Sequence, residues 1–209
     1  MRAATQHLRS CDPAMAGLIE RVGRCRLTVQ RRQEPYEALV RAIAFQQLHG
    51  MAARSILARF VALYPDMPFP TPAMVLATSE ATLRGVGFSA AKIAAIRDIA
   101  AKAEAGVVPN RRSAVRLSDA ALIERLTTIR GVGRWTVEML LIFTLGRPDV
   151  LPVDDYGVRD GYRVLHGLAE APKPKALAAI GESWAPFRSF AAWYLWRASD
   201  AAKGRPVTT

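Results

Sequence analysis

Apolar residues recur at three- and four-residue spacing along most of the chain, the mark of helices with one buried face. From Ser89, the segment AAKIAAIRDIAAKAEAG sets Ile93, Ile96, Ile99 and Ala100 on one stripe, with Ser89 as N-cap and Gly106 as the stop. The segment YEALVRAIAFQQLHGMAARSILARFVALYP carries Leu39, Ala42 and Ile43, then Ile56, Leu57, Phe60 and Val61, with a break near His49-Gly50. Another helix is predicted from Asp119, with Leu122, Ile123 and Leu126 apolar. Proline-rich stretches such as PDMPFPTPAM read as loops. Strand-like alternation is confined to short isolated segments, CRLTVQ and DVLPV. Trp184, Trp193 and Tyr194 are predicted on a helix with Phe187 and Phe190, most of the set as core. The expected fold class is all-α.

Composition narrows the class. A chain of 209 residues, 51% apolar and 22% charged, suits one globular domain or two small lobes rather than a disordered polymer. Two cysteines, Cys11 and Cys25, cannot build a disulfide scaffold, a four-thiolate zinc site or an iron–sulfur cluster. His7 and His166 have no partner at metal spacing. No apolar run approaches the roughly 20 residues that span a bilayer, and MRAATQHLRSCDPAM lacks the apolar stretch of a signal peptide. A cytoplasmic protein that engages no membrane is expected. With 29 Lys+Arg against 18 Asp+Glu, the net charge is +11. Such a chain attracts polyanions, nucleic acid first and an anionic membrane surface second, although solubility accounts for the charge equally well.

The most informative segment is LTTIRGVGRWTVEMLLIFTLG, residues 126–146. A helix is predicted to end at Ile129, followed by Gly131-Val132-Gly133 and a second helix from about Arg134. Glycines two apart permit positive φ and let a phosphate approach without a Cβ in the way. The amides at the mouth of the second helix favour an anion. The carbonyls ending the first helix can bind a cation. A helix–hairpin–helix of this kind grips a DNA phosphate without reading sequence. A plain turn between packed helices uses Gly-x-Gly as well.

Some twenty residues further on, the chain reads DVLPVDDYGVRDGYRV. Pro152 makes the approach extended, and Asp154 and Asp155 fall where a new helix begins. A helix N-terminus favours the ionised form of a carboxylate there. One reading is a simple N-cap. The other is a carboxylate carried, by one helix and a loop, from a held phosphate to a sugar.

GVGRWT (131–136) followed by PVDDYG (152–157) resembles the helix–hairpin–helix–Gly/Pro–Asp superfamily of base-excision DNA glycosylases. AIAFQQLHGMAAR (42–54), LRGVGFSAAKIAAI (83–96) and SWAPFRSFAAWYLWR (183–197) are similar to its alkylation-repair branch, the 3-methyladenine DNA glycosylase II group. Together they cover the chain from about residue 35 to 197, in the family's order. The resemblance implies two helical lobes with an active cleft between them. Residues 36–145 would form the lobe carrying the hairpin, and 1–35 plus 146–209 the other.

The same resemblance assigns roles. Asp155 would be catalytic and Asp154 a cap. Trp135, Trp196 and Met139 would line the base pocket. Gln47 or Leu48 would fill the hole left by a flipped nucleotide, with His49 nearby. Gly131, Val132, Gly133, Arg134 and Thr136 would face the DNA backbone; from its place in the first turn after Ser89, and not from the resemblance, Lys92 is also expected at a phosphate, and Arg84 more weakly. The carbonyls of Thr127, Ile129 and Val132 would hold a structural Na⁺ or K⁺, with no cofactor needed for catalysis. Lyase-type relatives carry a lysine where this chain has Trp135, so strand cleavage through a Schiff base is not expected. Met139 stands where some relatives carry an aromatic, which implies a wider pocket. The implied activity is monofunctional hydrolysis of the N-glycosidic bond of flipped-out alkylated bases such as 3-methyladenine and 7-methylguanine. The enzyme would act as a monomer on double-stranded DNA. The alternative is a non-catalytic helix–hairpin–helix DNA-binding module.

Overall fold

The structure is a computed structural model, and it describes residues 1–204. Those residues are helices and connecting loops, with no strand among them. In chain order the helices are α1 (Arg2–Cys11), α2 (Pro13–Val22), α3 (Pro35–Phe45), α4 (Gly50–Ala62), α5 (Pro72–Ala77), α6 (Glu80–Gly85) and α7 (Ala90–Glu104). They continue as α8 (Arg111–Ala114), α9 (Asp119–Leu126), α10 (Arg134–Met139), α11 (Tyr156–Leu165), α12 (Pro174–Ile180) and α13 (Arg188–Ala202). A π-helical turn, Leu140–Leu145, follows α10, and a 3₁₀ turn, Gly181–Trp184, follows α12. The chain forms two compact units. One is Gln30–Leu140, and the other is Met1–Val29 with the chain from Leu141 onward. These dividing points precede the expected ones, 35/36 and 145/146, by a few residues.

Five successive helices of the Gln30–Leu140 unit open on one device. The side chains of Thr71, Ser79, Ser89, Asn110 and Ser118 each accept the backbone N–H three residues on. Such a cap satisfies one of the four N–H groups that a helix start leaves unpaired, and is worth about 1 kcal/mol. Ser89 and Gly106 bound α7 as the sequence predicts, Gly106 with φ of 73°. Ile93, Ile96 and Ile99 of α7 and Leu39, Val40 and Ile43 of α3 are buried. Phe60 meets the rings of Tyr64, Phe69 and Phe88 edge-on.

In the other unit, Leu8, Met15, Leu18, Ile19, Val158, Leu177, Trp184, Tyr194 and Leu195 form the core. Trp184, Trp193 and Tyr194 are buried, though Trp184 lies in the 3₁₀ turn rather than on the helix. Phe187 and Phe190 are half-buried and pack edge-to-face. The segments CRLTVQ and DVLPV are loops. The Val150 N–H donates to the Ser189 hydroxyl at 2.9 Å instead of to a strand.

Helices α11 and α13 pack backbone against backbone. A Cβ on Gly161 would overlap the Leu195 carbonyl. The residue before Gly161 ties the two helices again, by charge. Buried Asp160 accepts from Arg163 (2.9 and 3.0 Å) and from the Ser199 hydroxyl (2.6 Å), and pairs with Lys203 (2.9 Å). The Ser199 hydroxyl first, then Lys203 and Arg163, outweigh the effect of burial and hold the Asp160 carboxyl at about 2. A carboxylate with a depressed folded pKa stabilises the fold above its unfolded value and stops doing so as pH falls through the folded one. Wild type is therefore expected to lose about 2 kcal/mol more than Asp160→Asn between about pH 5 and pH 2. Urea denaturation at those two pH values checks this.

Candidate functional site

The loop ahead of α11 is anchored before it reaches Asp155. Asp149 takes two charge-assisted bonds from Arg188, Nε and Nη2, at 2.7 Å each. They hold its carboxyl below the usual carboxylate range. The Ser189 hydroxyl donates to the Arg147 carbonyl at 2.8 Å. The chain then turns at Pro152, whose carbonyl accepts the Asp155 N–H at 3.0 Å, and α11 begins at Tyr156.

Asp155 is the N-cap of α11: its Oδ1 accepts the Val158 N–H at 2.9 Å. Asp154, the expected cap, is exposed. The reason is register, since a cap must reach the N–H three residues on, and Asp155 has that reach to Val158. The cap and the candidate catalytic carboxylate are therefore one side chain. The same Oδ1 also accepts the Trp196 indole N–H, at 2.9 Å. The Trp196 ring stacks on Phe143, with centroids 5.7 Å apart and planes 28° apart. Gly157 makes room for this. A Cβ there would lie 2.9 Å from Trp196 Cδ1 and 3.1 Å from Asp155 Oδ1. Trp196, expected as a wall for the base, turns its polar edge to Asp155 and one face to Phe143. Sequence reasoning missed Phe143 and the use of Gly157. The glycine in PVDDYG was visible, but the indole it accommodates lies 39 residues further on.

The hairpin belongs to the other unit. Helix α9 ends at Leu126, three residues before the expected Ile129, and α10 begins at Arg134 with Gly133 as N-cap. Buried Ile129 and Val132 pin the turn. Thr127, Arg130, Gly131, Gly133 and Arg134 are exposed. Gly131 has φ of 77°, and a Cβ there would sit 3.1 Å from Ala95 Cβ. Gly133 has φ of −90°, so positive φ applies to one glycine, not both. A Cβ on Gly133 would meet nothing within 4 Å, which leaves its backbone open to approach. The Gly131 carbonyl accepts from Gln46 Nε2 at 3.2 Å, and the Arg130 N–H donates to Asp98 at 2.7 Å.

Two expected backbone-binding side chains are placed differently. Thr136 is 4% exposed and faces inward from the first turn of α10. Lys92 donates from Nζ to the Ala44 carbonyl at 2.7 Å, at the end of α3. Burial pulls its ammonium below the ordinary lysine range. The partial negative charge of the α3 C-terminus is the physical reason for that contact. Arg84 is paired with Glu80 at 2.9 Å on the surface.

A cavity of about 380 Å³ lies beside the hairpin, lined by Ala42, Phe45, Gln46, Gln47, Trp135, Thr136 and Met139. It brings together the expected base-pocket residues Trp135 and Met139 and the expected wedge residue Gln47. Trp135 is 44% exposed. Gln47, with φ of 56°, and exposed Leu48 form the turn between α3 and α4, and exposed His49 is the N-cap position of α4. Among the described residues no cluster of His, Cys, Asp and Glu is placed to hold a metal ion. No helix among them is long and apolar enough to cross a membrane.

Residues 40–186 match the family model described as HhH-GPD superfamily base excision DNA repair protein. The chain is 46% identical over 197 residues to DNA-3-methyladenine glycosylase 1 of Schizosaccharomyces pombe, covering 94% of this chain and 86% of that one. Among solved structures it resembles the S. pombe 3-methyladenine DNA glycosylase in complex with abasic DNA. That match has a TM-score of 0.86 and 44% identity over 99% of both chains. The DNA-3-methyladenine glycosidase of Bacillus halodurans also has a TM-score of 0.86, with 32% identity over 98% of this chain and 93% of that one.

Proposed function

Because the chain belongs to the HhH-GPD superfamily of base excision DNA repair proteins, we propose that it is a monofunctional DNA glycosylase for alkylated bases. It hydrolyses the N-glycosidic bond of residues such as 3-methyladenine and 7-methylguanine in double-stranded DNA, as a monomer in the cytoplasm. The observation that carries this reading is Asp155, a carboxylate at a helix N-terminus with two N–H donors on one oxygen.

The base inside a duplex is out of reach, so the nucleotide is flipped out at a cost of a few kcal/mol, least for a poorly stacked lesion. Gln47 or Leu48 fills the gap. The base enters the cavity beside Trp135 and Met139. Alkylation at a ring nitrogen makes a purine cationic, and an aromatic face such as that of Trp135 attracts a cation by about 0.5–2 kcal/mol. A contact of that size discriminates modestly, so a broad range of alkylated bases follows. The leaving base takes the electron pair of the glycosidic bond. Positive charge grows on the sugar, and ionised Asp155 stabilises it. Water adds at C1′ and gives up a proton, with Asp155 orienting it or accepting that proton.

The amides of Gly131, Gly133 and Arg134 hold a backbone phosphate beside the lesion, and the Val132 N–H, expected to join them, is donated to the Ile129 carbonyl instead. The carbonyls of Thr127, Ile129 and Val132 are those that would hold a Na⁺ or K⁺ there. Ile129 O already accepts the Val132 N–H at 3.1 Å, which leaves it one lone pair for an ion. No step of the reaction runs through that ion. Trp135 offers no amine, so no Schiff base forms at that position.

The test is release of free base from methylated duplex DNA, identified by chromatography, with borohydride added in parallel. Free 3-methyladenine and 7-methylguanine, an unbroken strand and no trapped covalent adduct are expected. DNA binding without base release would instead make the chain a non-catalytic binding module. A trapped adduct would make it a lyase.

A further inference from the structure

The indole of Trp196 is committed inside the protein on two sides. Its N–H edge is spent on Asp155 Oδ1 at 2.9 Å, and one of its faces lies on Phe143. Space for that edge exists only because residue 157 has no side chain, since a Cβ there would press on both the indole and the carboxylate. The ring is carried by α13, and the carboxylate by the first residue before α11. The two helices are in backbone contact at Gly161 and Leu195, and Asp160 ties them again through Ser199 and Lys203. The indole thus reaches Asp155 from a rigid mount, not from a mobile loop.

We propose that Trp196 is a positioning residue. Its N–H, acting with the Val158 N–H, fixes Oδ1 of Asp155 and so sets the plane in which the carboxylate meets the reacting sugar. This role rests on the glycosylase reading above. One donor on a carboxylate oxygen leaves the group free to swing about its Cβ–Cγ bond. A second donor, from a different helix, removes that freedom. A misplaced reacting group costs rate far more than it costs binding. A wall for the base would act differently: it would work through the ring face, and its loss would depend on which base is bound.

The test replaces Trp196 site-specifically, by nonsense suppression, with two analogues. 3-Benzothienylalanine keeps the shape and the face but has sulfur in place of the N–H, and 7-azatryptophan keeps the N–H. The readouts are single-turnover release of 3-methyladenine and of 7-methylguanine, and affinity for a duplex with a stable abasic site. The sulfur analogue is expected to slow release of both bases by the same factor, roughly 10- to 100-fold, with affinity unchanged. The aza analogue is expected to release both at close to the wild-type rate. Wild-type rates with the sulfur analogue, a defect confined to one base, or equal losses with both analogues would overturn the positioning role. Asp155→Asn, run alongside, separates the two ideas. Undiminished release in that variant would overturn the catalytic role of Asp155, and the positioning role with it, whereas no release by the wild type would overturn the glycosylase reading.

Discussion

Replacing Gly161 with alanine is expected to destabilise the chain by about 3 kcal/mol and to lower its thermal midpoint by about 10 °C. The added methyl would occupy the position of the Leu195 carbonyl. A backbone oxygen cannot rotate away as a flexible side chain can, so α11 and α13 must separate. Separation loosens the bonds of Ser199 and Lys203 to buried Asp160, and the Trp196 bond to Asp155 as well. Activity should therefore fall even at temperatures where the variant remains folded. Gly85 is the control, because it also lies in a helix and a Cβ there would meet nothing within 4 Å. Gly85→Ala should be neutral, or more stable by about 0.5–1 kcal/mol. Thermal melts of both variants check the pair.

Asp155→Asn is expected to slow single-turnover base release by at least about 10²- to 10³-fold while leaving the fold in place. Asparagine can still cap α11, because its side-chain oxygen accepts the Val158 N–H and the Trp196 indole N–H as the aspartate does. What it removes is the negative charge facing the sugar as the base departs. Charge developed in the transition state is stabilised only by groups already oriented toward it, and a neutral amide offers little. Affinity for a duplex with a neutral abasic site should change little, because the hairpin belongs to the other unit and keeps its amides. Melting temperature and abasic-DNA affinity, measured with the rate, distinguish lost chemistry from lost structure.

What the sequence made legible was local. The stripe of α7 and its Ser89 cap depend on neighbours within a few residues, and they are found as read. Glycines at 131 and 133 marked the hairpin, but the end of α9 was read three residues late. Thr127 and Thr128 return their hydroxyls to the carbonyls of Ile123 and Arg125, at 2.8 and 2.7 Å, and short polar side chains of this kind compete with helix continuation. Between adjacent Asp154 and Asp155, composition could not say which one caps, since the choice turns on a single residue of register. Lys92 looked outward because its partner, the Ala44 carbonyl, lies 48 residues away in the chain. The Trp196 bond to Asp155 spans 41 residues and exists only where Gly157 and Gly161 let two helices close. The family motifs named the candidate residues. Tertiary packing decided which way their side chains turn.

The central claim is that Asp155 stabilises positive charge at the sugar, and a charged mimic of that state tests it most directly. Two duplexes are compared by titration, one with a pyrrolidine that is cationic at the C1′ position and one with a neutral tetrahydrofuran at the same site. A group that stabilises a transition state binds its mimic more tightly than a neutral analogue. The expected result is at least about tenfold tighter binding of the cationic duplex by wild type. In Asp155→Asn that preference is expected to disappear, with tetrahydrofuran affinity unchanged. Equal affinities in the wild type, or a preference that survives in Asp155→Asn, would contradict the claim.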